Sequence, residues 1–259
     1  MIISLINISL VAQPNVSYAK KIKKIILDPG HGGKDPGCHG VYSKEKDITL
    51  AVSRKVKTLL ENYFKSGIQV ALTRNSDVLA GGDDLSIKQS LIYRTDFANE
   101  NKGDLFISIH VNSTPKRNSS VKGTLVLVCG QERVSEKANS VNSNSHNFED
   151  EGLLDARDPA TSIILAQYTQ AFLTRSIVLG SKMNEEFVNQ NRVAEGVRQQ
   201  SLQVLASSAM PGVLVEIGYL NNTEEENYLN SEEGQNEVAL AIFNAIKYYK
   251  EESEKNSAE

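Results

Sequence analysis

The chain has 259 residues, with 28 Lys plus Arg against 32 Asp plus Glu, a net charge of −4 and 40% apolar residues. That length suits one substantial α/β domain with a full core, and the lack of a basic excess argues against a nucleic-acid partner. Two cysteines, Cys38 and Cys129, are too few for a disulfide framework.

The opening run MIISLINISLVA is apolar but too short to span a bilayer. Ser17-Tyr18-Ala19 before Lys20 has the small-x-small form of a signal-peptidase site. Residues 1–19 are therefore expected to be a signal peptide and the chain to be exported, although a basic n-region is missing. Lys24 to Asp28 (KIILD) reads as a strand. It leads directly into PGHGGKDPGCHG, a turn dense in Gly, Pro, His and Asp. A helix is expected from Glu45 to Ser66, with Ile48, Val52, Val56, Leu59, Leu60 and Tyr63 on one face and Gly67 as its stop. IQVALT (68–73) reads as the next strand. Ile87, Leu91, Thr95 and Ala98 then mark a second amphipathic helix ending near Gly103. LFISIH (105–110) and TLVLVC (124–129) read as strands, the first with a histidine at its end.

From about 130 to 160 the chain is polar, rich in Ser and Asn, and reads as a long exposed insertion. Helical spacing resumes from Ile163 to about Val188. VLVEI (213–217) is an almost wholly apolar strand with one glutamate inside it. Thr223 to Glu226 fits a capping box. Val238, Ala241, Ile242, Ala245, Ile246 and Tyr249 form the stripe of a closing helix, and residues 251–259 read as a frayed tail. Strands alternating with helices predict an α/β layer with helices on both faces. There is no internal repeat and no transmembrane segment.

Phosphate-binding signatures fail in the glycine-rich turn. Gly33-Lys34 is followed by Asp35 where a P-loop needs Ser or Thr, and a dinucleotide fingerprint would need glycine at Asp35. A metal fits better. His31 lies just past one strand, Glu45 starts a helix, and His110 ends another strand with Asn112 just beyond as a candidate substrate contact. Two imidazoles and one carboxylate are donors of a catalytic zinc site that keeps a fourth position open. Each has a plainer alternative: a hydrogen-bonded structural histidine, or an acid placed at a helix N-terminus. Glu216 is harder to dismiss, because a carboxylate within VLVEI needs a charged partner or a function.

Five segments occur in order: DPGHGGKDPG, KEKDITLAVSRKV, the helix with Arg94, Ala98 and Asn99, DLFISIHVNS, and MPGVLVEIGYLNN. Together, over about residues 22–250, the chain resembles the zinc-dependent N-acetylmuramoyl-L-alanine amidases, cell-wall hydrolases of the amidase-3 type. The resemblance implies a single catalytic domain over 20–250, with a mixed, mainly parallel sheet flanked by helices on both faces. It implies one Zn2+ per chain held by His31, Glu45 and His110, with Glu216 as the catalytic glutamate. The implied substrate is peptidoglycan, cut between the lactyl group of N-acetylmuramic acid and L-alanine for wall remodelling or daughter-cell separation. Cys38 and His39 are expected beside the site rather than in it.

In regulated members of that family an extra segment between the third ligand and the catalytic strand covers the site. By that resemblance, one of Glu149, Asp150 or Glu151, with His146 as another candidate, is expected to occupy the open zinc position until a protein activator displaces it. The plain alternative is a solvated acidic loop. The helix from Ile163 to Val188 is a second place for an activator to bind. A zinc peptidase or carboxypeptidase acting on wall peptides, or a non-catalytic wall-binding module, are the competing functions. The chain is expected to be monomeric.

Overall fold

The structure is a computed structural model that describes residues 21–144 and 159–255. The expected signal peptide and the residues His146, Glu149, Asp150 and Glu151 lie outside the described residues.

Six strands form one sheet: β1 (Lys24–Pro29), β2 (Gln69–Leu72), β3 (Leu105–Asn112), β4 (Thr124–Cys129), β5 (Ala194–Gln200) and β6 (Gly212–Tyr219), in the order β2-β1-β3-β6-β4-β5. The first four in that order run parallel, β4 runs antiparallel to β6, and β5 is parallel to β4. The helices are α1 (Glu45–Phe64), α2 (Ile87–Glu100), α3 (Val134–Ser143), α4 (Pro159–Asn189), α5 (Gln203–Ala206), α6 (Thr223–Asn230) and α7 (Glu232–Lys255). Successive strand residues point to opposite faces. Ile25, Leu27, Ile107 and Val213 therefore enter a core with Ile48 and Val52 of α1, Met183 of α4 and Ile242 of α7. Ile26, Phe106 and Leu214 enter a second core with Ala98 of α2, Leu173 of α4 and Leu205 of α5. The result is the mixed, mainly parallel α/β layer that the motifs implied.

Local chemistry explains where several expectations shift. Ile48, Val52, Val56 and Leu60 are buried at intervals of one turn, which lays α1 along the sheet. The helix stops at Lys65, which takes φ 52°, rather than at Gly67. The second helix forms, capped by Ser86 and Gln89, but Ile87 and Leu91 are exposed. Thr95 and Ala98 are buried as expected, and Ser90, Arg94 and Asn99 complete the inner face, because Arg94 and Asn99 reach into neighbouring turns. The cap of α6 is Asn222, whose Oδ1 accepts from the amides of Glu224 and Glu225, and not a Thr223 box. Helix α7 continues through Lys255, so residues 251–255 are helical rather than frayed.

The stretch expected to be an exposed insertion contributes α3 and the 3₁₀ turn Gln131–Arg133 before it. Val141 of α3 packs against Leu165 and Phe172 of α4. Lys137 is buried, and its Nζ donates to the carbonyls of Leu205 (3.0 Å), Ser208 (2.5 Å) and Met210 (2.6 Å) and to Ser208 Oγ (3.0 Å). Among the described residues, no helix is long and apolar enough to cross a membrane.

Candidate metal and hydrolytic site

Strand β1 ends in Asp28, a fully buried carboxylate that accepts from Thr73 (2.6 Å), Ser108 (2.7 Å) and Arg94 (2.5 Å). Its burial opposes ionisation, but Arg94 and the two hydroxyls outweigh that cost and hold the carboxyl below the usual range. The chain then turns through Pro29 and Gly30 into His31, which adopts φ 59°. Glu45 is the first residue of α1. His110 and Glu216 are register partners on adjacent strands β3 and β6.

These segments bring His31, Glu45 and His110 together. One donor atom from each lies within 4.8 Å of the other two. Glu45 sits between the rings: Oε2 is 3.1 Å from His31 Nε2, and Oε1 is 2.8 Å from His110 Nδ1. The same carboxylate accepts from the backbone amides of Cys38 (2.8 Å) and Val111 (3.0 Å), which fixes its orientation. The outer nitrogen of His31, Nδ1, lies 2.8 Å from Asp35 Oδ2. That contact leaves Nε2 facing the centre of the cluster.

Two glycines make this density possible. A β-carbon at Gly30 would stand 2.5 Å from His110 Cε1, and one at Gly37 would stand 2.5 Å from Glu45 Oε2. Any larger residue at either position would push a donor away.

The electrostatics follow from burial and neighbours. Burial alone would raise the pKa of Glu45, but His110 and His31 overcome it and hold the carboxyl well below the ordinary range. Burial alone would lower His31, and the Glu45 and Asp35 carboxylates raise it instead. Glu216 differs: burial pushes it up to about 7 against the pull of His110. Its Oε2 is shut from solvent and has no hydrogen-bond partner among the described residues.

The Cys38 thiol donates to the Val111 carbonyl at 3.2 Å, and burial pushes its pKa up, so it stays protonated. His39 is exposed and bridges backbone to Lys44. Neither joins the donor cluster. Asn112 spends Oδ1 on the amide of Ser113. Asp35 was missed by residue-type reasoning, although it lies four residues after His31 in the same glycine-rich turn. Arg74 was missed as well, because nothing in a strand-end arginine announces that it will be buried.

The model of the N-acetylmuramoyl-L-alanine amidase family matches residues 25–248. The chain belongs to this family. AmiC of Escherichia coli O6:H1 is 29% identical over 250 residues, covering 92% of this chain but 55% of AmiC. The chain thus spans about half the length of that relative. The catalytic domain of CwlV, an N-acetylmuramoyl-L-alanine amidase of Bacillus (Paenibacillus) polymyxa var. colistinus, superposes with a TM-score of 0.58 at 27% identity, covering 88% of this chain and 97% of its own. The CwlD amidase of Clostridioides difficile, solved in complex with the GerS lipoprotein, gives a TM-score of 0.63 at 25% identity, covering 88% of this chain and 98% of its own.

Proposed function

We propose that this amidase-family chain is a zinc-dependent hydrolase of peptidoglycan, cleaving the amide between the lactyl group of N-acetylmuramic acid and L-alanine. The observation that carries the reading is Glu216: a carboxylate with an orphaned buried oxygen, register-paired with His110 of the donor cluster. A buried carboxylate oxygen so placed fits a group that takes its partner from water or substrate entering the site. The cluster suits zinc because two imidazole nitrogens and a carboxylate oxygen are its usual donors, and they lie close enough to share one ion. When bound there, zinc supplies Lewis acidity to the scissile carbonyl and makes water more acidic.

The protein's own groups do the rest. Glu216 Oε2 accepts the proton of the attacking water and returns it to the leaving nitrogen. Asp35 holds the His31 ring in the orientation that presents Nε2. Asn112, at the end of β3, is the substrate contact in this proposal. The site of action is the cell envelope, and the working unit is a monomer.

The test is Glu216→Ala. It should bind zinc as the parent does, yet release stem peptides from peptidoglycan about 10²–10⁴-fold more slowly. Near wild-type turnover would remove Glu216 from the mechanism. The products separate the amidase from a wall peptidase: an amidase frees the intact stem peptide and leaves the glycan unmodified.

The acids Glu149, Asp150 and Glu151 belong to the same proposal as a restraint on the zinc position. The CwlD amidase, solved with a lipoprotein partner, supports a protein as the releasing agent. Replacing each acid in turn with serine should raise basal turnover in one variant. Unchanged rates in all three would reject the restraint.

A further inference from the structure

We infer that Arg74 is a positioning residue for the metal site, locking His31 and Glu45 into one geometry through the backbone. The inference rests on the zinc reading above and goes beyond its donor set. His31 sits at φ 59°, a left-handed conformation that a residue with a β-carbon adopts only when its surroundings impose it. What imposes it is a row of donors beneath the turn. Arg74 donates through Nε to the Pro29 carbonyl (3.1 Å) and through a terminal nitrogen to the Gly30 carbonyl (2.7 Å). Arg94 donates to the carbonyls of Pro29 (2.8 Å) and His31 (2.6 Å), and Thr49 Oγ1 to that of Gly30 (2.9 Å). Three consecutive carbonyls are thus held on one side, which leaves the His31 side chain to project on the other.

Arg74 and Arg94 differ in what else they hold. Arg94 is ion-paired with Asp28. Arg74 is only 3% exposed, yet every hydrogen bond its side chain makes goes to a neutral oxygen. One of these is the Lys46 carbonyl at 2.8 Å, in the first turn of α1 directly after Glu45. A single guanidinium therefore ties the turn bearing the first donor to the helix bearing the second. A lysine amine has three N–H donors on one nitrogen and no planar fork, so it cannot replace all five of the contacts that Arg74 makes through three nitrogens.

Zinc affinity, measured by competition with a chromogenic chelator on purified protein, tests this alongside the melting temperature of the metal-free form. Arg74→Lys should raise the zinc dissociation constant by about 10–100-fold, the usual cost of losing a partner that orients a ligand. Phe187→Leu, which opens the core behind α4, should lower the melting temperature and leave zinc affinity unchanged. Thr49→Val removes one donor from the Gly30 carbonyl at little risk to folding and should weaken zinc by several-fold. Parental affinity in folded Arg74→Lys would overturn the inference. Should that variant not fold, parental affinity in Thr49→Val would do so. If the parent protein itself binds no zinc, the metal reading fails first, and the two failures are distinct.

Discussion

Two buried cations in this molecule are each ringed by backbone carbonyls, and they serve different ends. Arg74 grips Pro29 and Gly30 at the end of β1, and Lys137 grips Leu205, Ser208 and Met210 before β6. Beside Arg74 the gripped backbone contains a left-handed histidine whose ring faces two other donors. Beside Lys137 the gripped loop carries no such side chain. It is fastened from its other flank by Asn99, which donates to the Ser207 carbonyl (3.0 Å) and accepts from the Ala209 amide (2.8 Å). The Lys137 cluster joins α3 to the domain. A buried charge on carbonyls is thus a fastening in both places, and the segment fastened decides whether it matters for chemistry.

The comparison can be broken most forcefully at the donor itself. His31→Ala, or chelation of the metal, should cut stem-peptide release by about a thousandfold or more, since a Lewis acid supplies several kcal/mol of charge stabilisation. Added zinc should restore the chelated parent and not the variant. Gly30→Ala comes next. Its new β-carbon would press on the His110 ring from 2.5 Å, and a displacement of that kind should cost about 100-fold in turnover. Lys137→Met takes the buried donor from the Ser208 and Met210 carbonyls and leaves Leu205 only its bond from Ser208 Oγ, so it should destabilise the fold by about 2–4 kcal/mol and lower Tm by about 5–15 °C. Its zinc affinity should match the parent's. A loss of affinity as large as that of Arg74→Lys would erase the distinction between the two clusters. Ser86→Ala should have the smallest effect, about 1 kcal/mol for the lost cap. Because α2 supplies Arg94 to one cluster and Asn99 to the other, calorimetry on this variant should show a slight loss in Tm with no change in zinc binding.

Most of the scaffold was legible from patterns that a single residue face imposes. The stripe of Val238, Ala241, Ile242, Ala245, Ile246 and Tyr249 is buried throughout, and β1 and β3 lie where their apolar runs put them, extending past the expected ends at Asp28 and His110 to Pro29 and Asn112. The donors His31, Glu45 and His110 stood out through the ordered motifs, since nothing in their spacing shows that three distant segments meet. Three features were hidden for physical reasons. Strand β5, AEGVRQQ, lies at the sheet edge and needs no apolar face. The inner face of α2 is mostly polar because Arg94 and Asn99 serve neighbouring turns, while Ala98 between them enters the core. Lys137 reads as a solvated charge until the fold surrounds it with oxygen atoms.

Strand β6 enters the sheet between β3 and β4 although it is the last strand in the chain. All three clustered donors, and the arginines beneath the first of them, belong to residues made long before it. The strand that carries Glu216 is also the seam of the sheet: β3 and β4 meet only through β6, so the clustered donors and Glu216 take their places together.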